Sequence, residues 1–297
     1  MPRVSINEMT TFHWSFDEDV TNLRAFGIDG IGAWRRKLTE FGEERGIELV
    51  RDSGITVTSL SMAGGFTGSD GQTFREAVDD ALEALKLAAE IEAGCLVVIT
   101  GARCGHTLNH ARRLVREALV ELGDAGAELG VEIALQPMRP QPIERWTFLT
   151  SLDMTLELLT SCDHPQVGFV FDVYHLCREI GLEARIAEIA PWIKIAALCD
   201  ARLPAKSDDD RCLPGKGMLP LRELVRRLEE GGFRGWYDVQ ILCEESWKAD
   251  YGQLIADCRV GLEAICPELF SPRSKSTAPA AENVAPLPVA VEPQPPE

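Results

Sequence analysis

The chain has 297 residues and is 45% apolar, the make-up of a globular protein with a sizeable core and room for one large domain or two small ones. A formal charge of −17 argues against a nucleic-acid backbone or an anionic membrane as the main partner, because both need a basic patch. Nine cysteines, an odd number with no Cys-x-x-Cys pair, together with a start that lacks a signal-peptide core and the absence of any span-length apolar run, predict reduced thiols and a cytoplasmic location.

In chain order, 4–6 reads as a first short strand. Ser15 then caps a helix with acids in its first turn, ending near Gly27. Strand two is 28–33, and one helix is expected from Arg35 to about Asp52. Strand three is 55–61. Gly64, Gly65 and Gly68 follow in a loop that lacks the Lys-Ser/Thr of a phosphate-binding loop. Apolar residues at 77, 81, 82, 85 and 88 mark an amphipathic helix over 74–93, stopped by Gly94. Strand four is 95–99. Asn109 is expected to cap a long helix reaching Gly130. Strand five is 131–136, and Ser151 opens a helix ending near Ser161.

The run Val-Gly-Phe-Val-Phe-Asp at 167–172 has no polar alternation, as in a strand buried on both faces. A helix over 183–190, strand seven at 192–199, a helix over 219–230, strand eight at 236–242 and a last helix over 251–266 complete the series. Eight strands alternating with helices predict an α/β fold of the (β/α)8 TIM-barrel type over 1–270. A doubly wound sheet would want a dinucleotide fingerprint after strand one, and none is present. From Ser271 the composition turns to Pro, Ala, Val and Glu, which predicts a disordered Pro/Ala-rich tail over 271–297. A ligand for a proline-binding partner is the alternative reading of that tail.

In a barrel the chemistry sits at the carboxyl ends of the strands. Strand five ends in Gln136-Pro137-Met138-Arg139, strand six in Asp172-Val173-Tyr174-His175, strand seven in Ala197-Leu198-Cys199-Asp200, and strand eight in Asp238-Val239-Gln240. Arg211-Cys212-Leu213-Pro214-Gly215-Lys216-Gly217 follows strand seven. This set, over nearly all of 4–266, resembles the sugar phosphate isomerase/epimerase family with the xylose-isomerase-like barrel. The most specific pieces are Asp172 to His175, Leu198 to Asp200, and Arg211 to Gly217.

The resemblance implies a divalent ion, Mn2+ or Mg2+, held by Glu, Asp, His or Gln, and Glu at the positions of Gln136, Asp172, Ala197 and Gln240. It also implies proton transfer beside a carbonyl, with the two glutamates as the bases. A hard ion wants anionic oxygen and polarises the carbonyl; a carboxylate removes the neighbouring proton. This chain departs at three of those four positions. Gln136 and Gln240 keep the shape of Glu without its charge or basicity, and Ala197 offers no donor. Asp172 is the retained anionic ligand, so a degenerate metal site is expected.

His175 and Asp172 are the candidate catalytic residues. Arg211, Gln136, Gln240, Asp200 and Trp14 are the candidate substrate contacts. Lys216 is read as solvated or as a replacement charge. Singly, each residue has a plain structural reading: a loop anchor for Asp172, a satisfied buried histidine for His175, a surface ion pair for Arg211. Cys104, Cys177, Cys199, Cys212 and Cys243 fall near the same mouth without a metal-binding spacing.

The expected function is a sugar or sugar-acid isomerase or epimerase acting on a small polyol or keto sugar. The alternative is a non-catalytic sugar- or partner-binding barrel of the same descent. A phosphodiester-cleaving relative of the endonuclease IV kind would need more than five histidines and less negative charge. Relatives often pair through the barrel's outer surface, so a homodimer is an expected assembly.

Overall fold

The computed structural model describes residues 3–140, 146–202 and 210–270. The tail expected over 271–297 lies outside the described residues. Strands β1 (Val4–Asn7), β2 (Gly30–Trp34), β3 (Thr56–Gly64), β4 (Cys95–Ile99), β5 (Glu132–Leu135), β6 (Val167–Asp172), β7 (Ile193–Leu198) and β10 (Tyr237–Val239) close into one parallel barrel. A two-residue antiparallel ribbon, β8 (Asp200–Ala201) with β9 (Arg211–Cys212), stands apart from it. The expected (β/α)8 architecture is the one observed.

Around the barrel run α1 (Phe16–Ala25), α2 (Arg35–Phe41), α3 (Glu43–Ser53), α4 (Phe74–Glu90), α5 (Leu108–Leu129), α6 (Leu152–Cys162), α7 (Val173–Leu176), α8 (Leu182–Ile189), α9 (Leu221–Glu230), α10 (Glu244–Trp247) and α11 (Tyr251–Ile265). The helix expected over 35–52 is two helices. Gly42 joins them at φ 107°, a conformation that a side chain resists, so the chain bends there. The cap of α5 is Thr107, whose hydroxyl accepts the His110 N–H, and Asn109 lies inside the helix. Strand eight is shorter than 236–242, because β10 has pairing partners only over Tyr237–Val239.

Helix α4 shows why the outer ring forms. Thr73 and Glu76 make a capping box, and Ala77, Ala81, Ala84, Leu85 and Ala88 turn one stripe inward. Small residues on that stripe let the helix lie close on the sheet. The barrel interior is divided. One side is apolar, with Cys95, Val97, Ala134, Val170, Ile195 and Ala197 packed together. The other is polar, with Ser5, Asn7, Thr58 and Asp238 joined by hydrogen bonds. Pairing runs Asp172–Ala197–Asp238–Ser5–Gly30 across five adjacent strands. Paired residues of parallel strands share a face, so this row lies inside the barrel. Gly30 and Gly32 leave the room that row needs: a Cβ at position 32 would lie 2.6 Å from Asp238 Oδ2 and 2.7 Å from Asn7 Nδ2.

Candidate active site

Strand β6 delivers Asp172 to the mouth and α7 starts at once. Asp172 is the cap of that helix: Oδ1 accepts the Tyr174 N–H at 2.9 Å and the His175 N–H at 3.4 Å. The tight turn brings His175 back over the carboxylate, with Nε2 3.8 Å from Asp172 Oδ2. Gln136, just past β5, donates its amide to the same Oδ2 at 3.2 Å.

Arg211 comes from the β8–β9 ribbon. Its backbone N–H donates to Leu242 O at 3.2 Å, which pins it to the loop after β10. Its guanidinium meets Asp172 end-on: Nη1 donates to Oδ1 at 3.1 Å and Nη2 to Oδ2 at 3.0 Å. Asp172 is 0% and Arg211 3% exposed, so this is a bidentate pair away from water. Burial pushes the Asp172 carboxyl up, but the Arg211 charge and its hydrogen bonds outweigh that and hold the group below the usual range.

Tyr174 is the post behind the pair. The guanidinium carbons of Arg139 and Arg211 lie 4.3 and 4.8 Å from its ring centre. Its hydroxyl accepts from Arg139 Nη2 at 2.8 Å and from the Asp210 N–H at 2.9 Å.

His175 faces donors on both ring nitrogens. Arg211 Nη2 lies 3.1 Å from Nε2, and the Arg139 N–H lies 3.4 Å from Nδ1. Burial first, then the two arginine charges, push the imidazole down to about 4 against the pull of Asp172. The ring is therefore neutral at pH 7. Guanidinium has no acceptor, so the shorter contact puts the ring's lone pair at Nε2.

The other sequence candidates fall in different places. Ala197 lies in register between Asp172 and Asp238 and is buried. Gln240 is half-buried, with its amide 3.7 Å from Met9 Sδ. Asp200 makes its hydrogen bonds away from Asp172. It is buried and accepts the backbone N–H groups of Ala201, Gly215 and Leu219, which makes it the anchor of the loop after the ribbon. Trp14 packs edge-on against Tyr251 on the outer rim, with ring centres 5.3 Å apart. Lys216 is exposed beside a separate cavity of about 310 Å3 that Cys212 and Cys243 also line.

Three residues went unassigned in the sequence. Arg139 and Tyr174 flank the ion pair; the sequence signal of Arg139 is its position at the end of strand five, and Tyr174 lies in the Asp172–His175 run without a role having been read for it. Asp238 is the third: it accepts from Ser5 Oγ at 2.6 Å and Asn7 Nδ2 at 2.7 Å, and burial pushes it up to about 6. A carboxylate inside a strand that otherwise reads apolar is the signal that marks it.

These residues do not fit the divalent ion that the resemblance implies. The single anionic donor is bridged by a guanidinium. Gln136 turns its N–H toward that donor, and Ala197 has nothing to give. Among the described residues no group of three His, Cys, Asp or Glu side chains is placed to hold a metal. Nor is any helix among them long and apolar enough to cross a membrane.

Solved structures share the architecture. A protein of Sinorhizobium meliloti 1021 superimposes with a TM-score of 0.83 at 29% identity, over 89% of this chain and 98% of its own. The IOLI protein with a binding zinc atom gives 0.80 at 20% identity, over 91% and 100%, a likeness of fold. By sequence, the inosose isomerase of Bacillus velezensis is 22% identical over 281 residues, 90% of this chain and 98% of that one. The family model described as the xylose isomerase-like TIM barrel matches residues 20–258, which is most of the chain. Fold and sequence agree, and the chain belongs to the xylose isomerase-like TIM barrel family.

Proposed function

We propose that this protein is a keto-sugar or polyol isomerase/epimerase that works without a divalent ion. The observation carrying this reading is the buried Arg211–Asp172 pair, which puts a fixed positive charge beside the one anionic donor that remains. The substrate class to test is the one in the relative's name, inosose, a ring ketone bearing hydroxyls. The Arg211 guanidinium stabilises the oxygen that becomes an enediolate when the neighbouring carbon loses its proton. His175 takes that proton at Nε2 as Arg211 Nη2 turns from the ring to the substrate oxygen, and returns it to the neighbouring carbon or to the other face to complete the reaction. An imidazole held near pKa 4 has the proton affinity of an ordinary glutamate, so it matches the carboxylate bases it would replace. Gln136 and Gln240 donate to and accept from substrate hydroxyls.

The test is deuterium uptake from heavy water into inososes and keto sugars, followed by mass spectrometry in the presence of EDTA. Exchange that survives EDTA and disappears in His175→Gln supports the reading. Exchange that EDTA abolishes refutes it.

One observation favours a second reading, a binding barrel without turnover. The Asp172 carboxylate is already engaged by Arg211 and by the Tyr174 and His175 backbone N–H groups. Saturable binding of the same compounds with no exchange identifies that case. Metal content separates both readings from the family's ion-dependent type. The Gln136→Glu/Ala197→His/Gln240→Glu variant should gain stoichiometric Mn2+ only when Arg211→Ala is added, because the guanidinium otherwise holds the ion's place.

A further inference from the structure

A groove of about 510 Å3 opens outside the barrel mouth, between the loop after β1 and helices α2 and α3. Phe12, Trp14, Trp34 and Phe41 form its walls, with Arg36 and Arg45 along it. Each arginine lies on a ring: Arg36 is 5.6 Å from the Trp34 centre and Arg45 is 4.4 Å from the Phe41 centre. Phe12 is wedged between Trp34 and Trp247, with ring centres 5.5 and 5.2 Å apart, so the platform is braced from behind. Charges inside the groove mostly offset one another. Arg36 pairs with Glu40 at 2.7 Å, and Lys37 turns its ammonium inward to Asp19 at 2.6 Å. Among the described residues Arg45 has no carboxylate partner and makes its end of the groove positive, while Asp17 and Glu18 hold Ser15 at the other end.

We propose that the chain's own segment 279–297 seats in this groove. Its sequence carries prolines at 279, 286, 288, 293, 295 and 296 and acids at 282, 292 and 297, and no Lys or Arg follows Lys275. Proline-rich segments dock on aromatic grooves because the extended polyproline conformation costs them little entropy. The acids complement Arg45. Reach is sufficient. The described chain ends at Phe270, where Arg259 faces the Phe270 ring at 5.9 Å and donates to Phe26 O at 3.1 Å, at the far end of α1. The groove lies at the start of α1, whose ten residues span about 15 Å. Residues 271–279 in an extended form cover about 28 Å. A tether this short favours the same chain over a second copy, through a local concentration on the order of millimolar.

The experiment places benzoylphenylalanine at Leu287 of the full chain, irradiates it and maps the adducts by peptide mass spectrometry. Adducts should concentrate on Phe12, Trp14, Trp34 and Phe41 in the monomer. Arg45→Glu should cut their yield about threefold, the size of an exposed charge pair, and adding Glu292→Arg should restore it. Should Arg45→Glu fail to fold, Pro286→Gly/Pro288→Gly poses the same question without touching the barrel, and it too should lower the yield. Adducts scattered over the surface, adducts found only between two chains, or a yield unmoved by these changes would overturn the proposal.

Discussion

Replacing Arg211 with Met removes the guanidinium and keeps the bulk. Asp172 would then keep the Tyr174 and His175 N–H groups and the Gln136 amide, but no cation, in a position that is 0% exposed. Breaking a buried pair from one side costs about 3–5 kcal/mol. The three remaining donors place Arg211→Met near the lower end, about 3 kcal/mol. Asp172→Asn leaves Arg211 buried against Tyr174 and His175 and should cost a similar amount. The double variant removes both charges and should be no worse than either single one, a coupling of about 3 kcal/mol. Urea denaturation of the four proteins measures this. In a heating scan each single variant should melt roughly 6–12 °C lower. The Arg211→Met loss should also shrink on acidification, as the unpaired carboxyl takes up a proton. Single losses under about 1 kcal/mol that simply add would mean that the pair is not formed in solution, and the metal-free reading would fall with it.

Two buried groups should give opposite pH slopes. His175 is held near 4 against an unfolded value of 6.5, so its contribution is complete above 6.5 and is lost as pH falls to about 4. Asp238 is raised from 3.8 to about 6, so its contribution is complete below 3.8 and is lost as pH rises through about 6. Each is worth about 3 kcal/mol. Urea midpoints at pH 7 and 4.5 should show His175→Gln gaining on the wild type in acid and Asp238→Asn losing ground; parallel shifts would contradict both assignments. Gly32→Ala should cost about 1–3 kcal/mol by pressing on Asp238, and Asp238→Ser should relieve much of it. Calorimetry of the single and double variants reads this directly, and equal melting points for all of them would show that the barrel interior yields freely.

The strands were legible because a buried parallel strand carries a short apolar run, and 167–172 reads that way without its neighbours. Helix breaks were harder. Gly42 looks like any glycine within an amphipathic pattern, and only its backbone angle shows why the chain divides there. The β8–β9 ribbon was hidden because two-residue strands have no period. At the site, sequence reading brought Asp172, His175, Arg211 and Gln136 to one mouth, and in the structure the other three each donate a hydrogen bond to the Asp172 carboxylate. It did not foresee that Arg211 grips Asp172, since a strand-end arginine carries no mark of its partner. The anchoring contacts of Asp200 went unread for a related reason: a carboxylate that accepts from three backbone N–H groups looks, in sequence, like one facing a ligand.

The cation beside Asp172 is part of the polypeptide. A metal has to be acquired after synthesis, can be stripped by a chelator and can be displaced by a tighter-binding competitor such as copper or zinc. A guanidinium arrives with every chain in a ratio of one to one and stays charged at any physiological pH. On the metal-free reading proposed above, a barrel built this way would be indifferent to shortage or excess of transition metals, its output following its own abundance and not the cell's supply of ions.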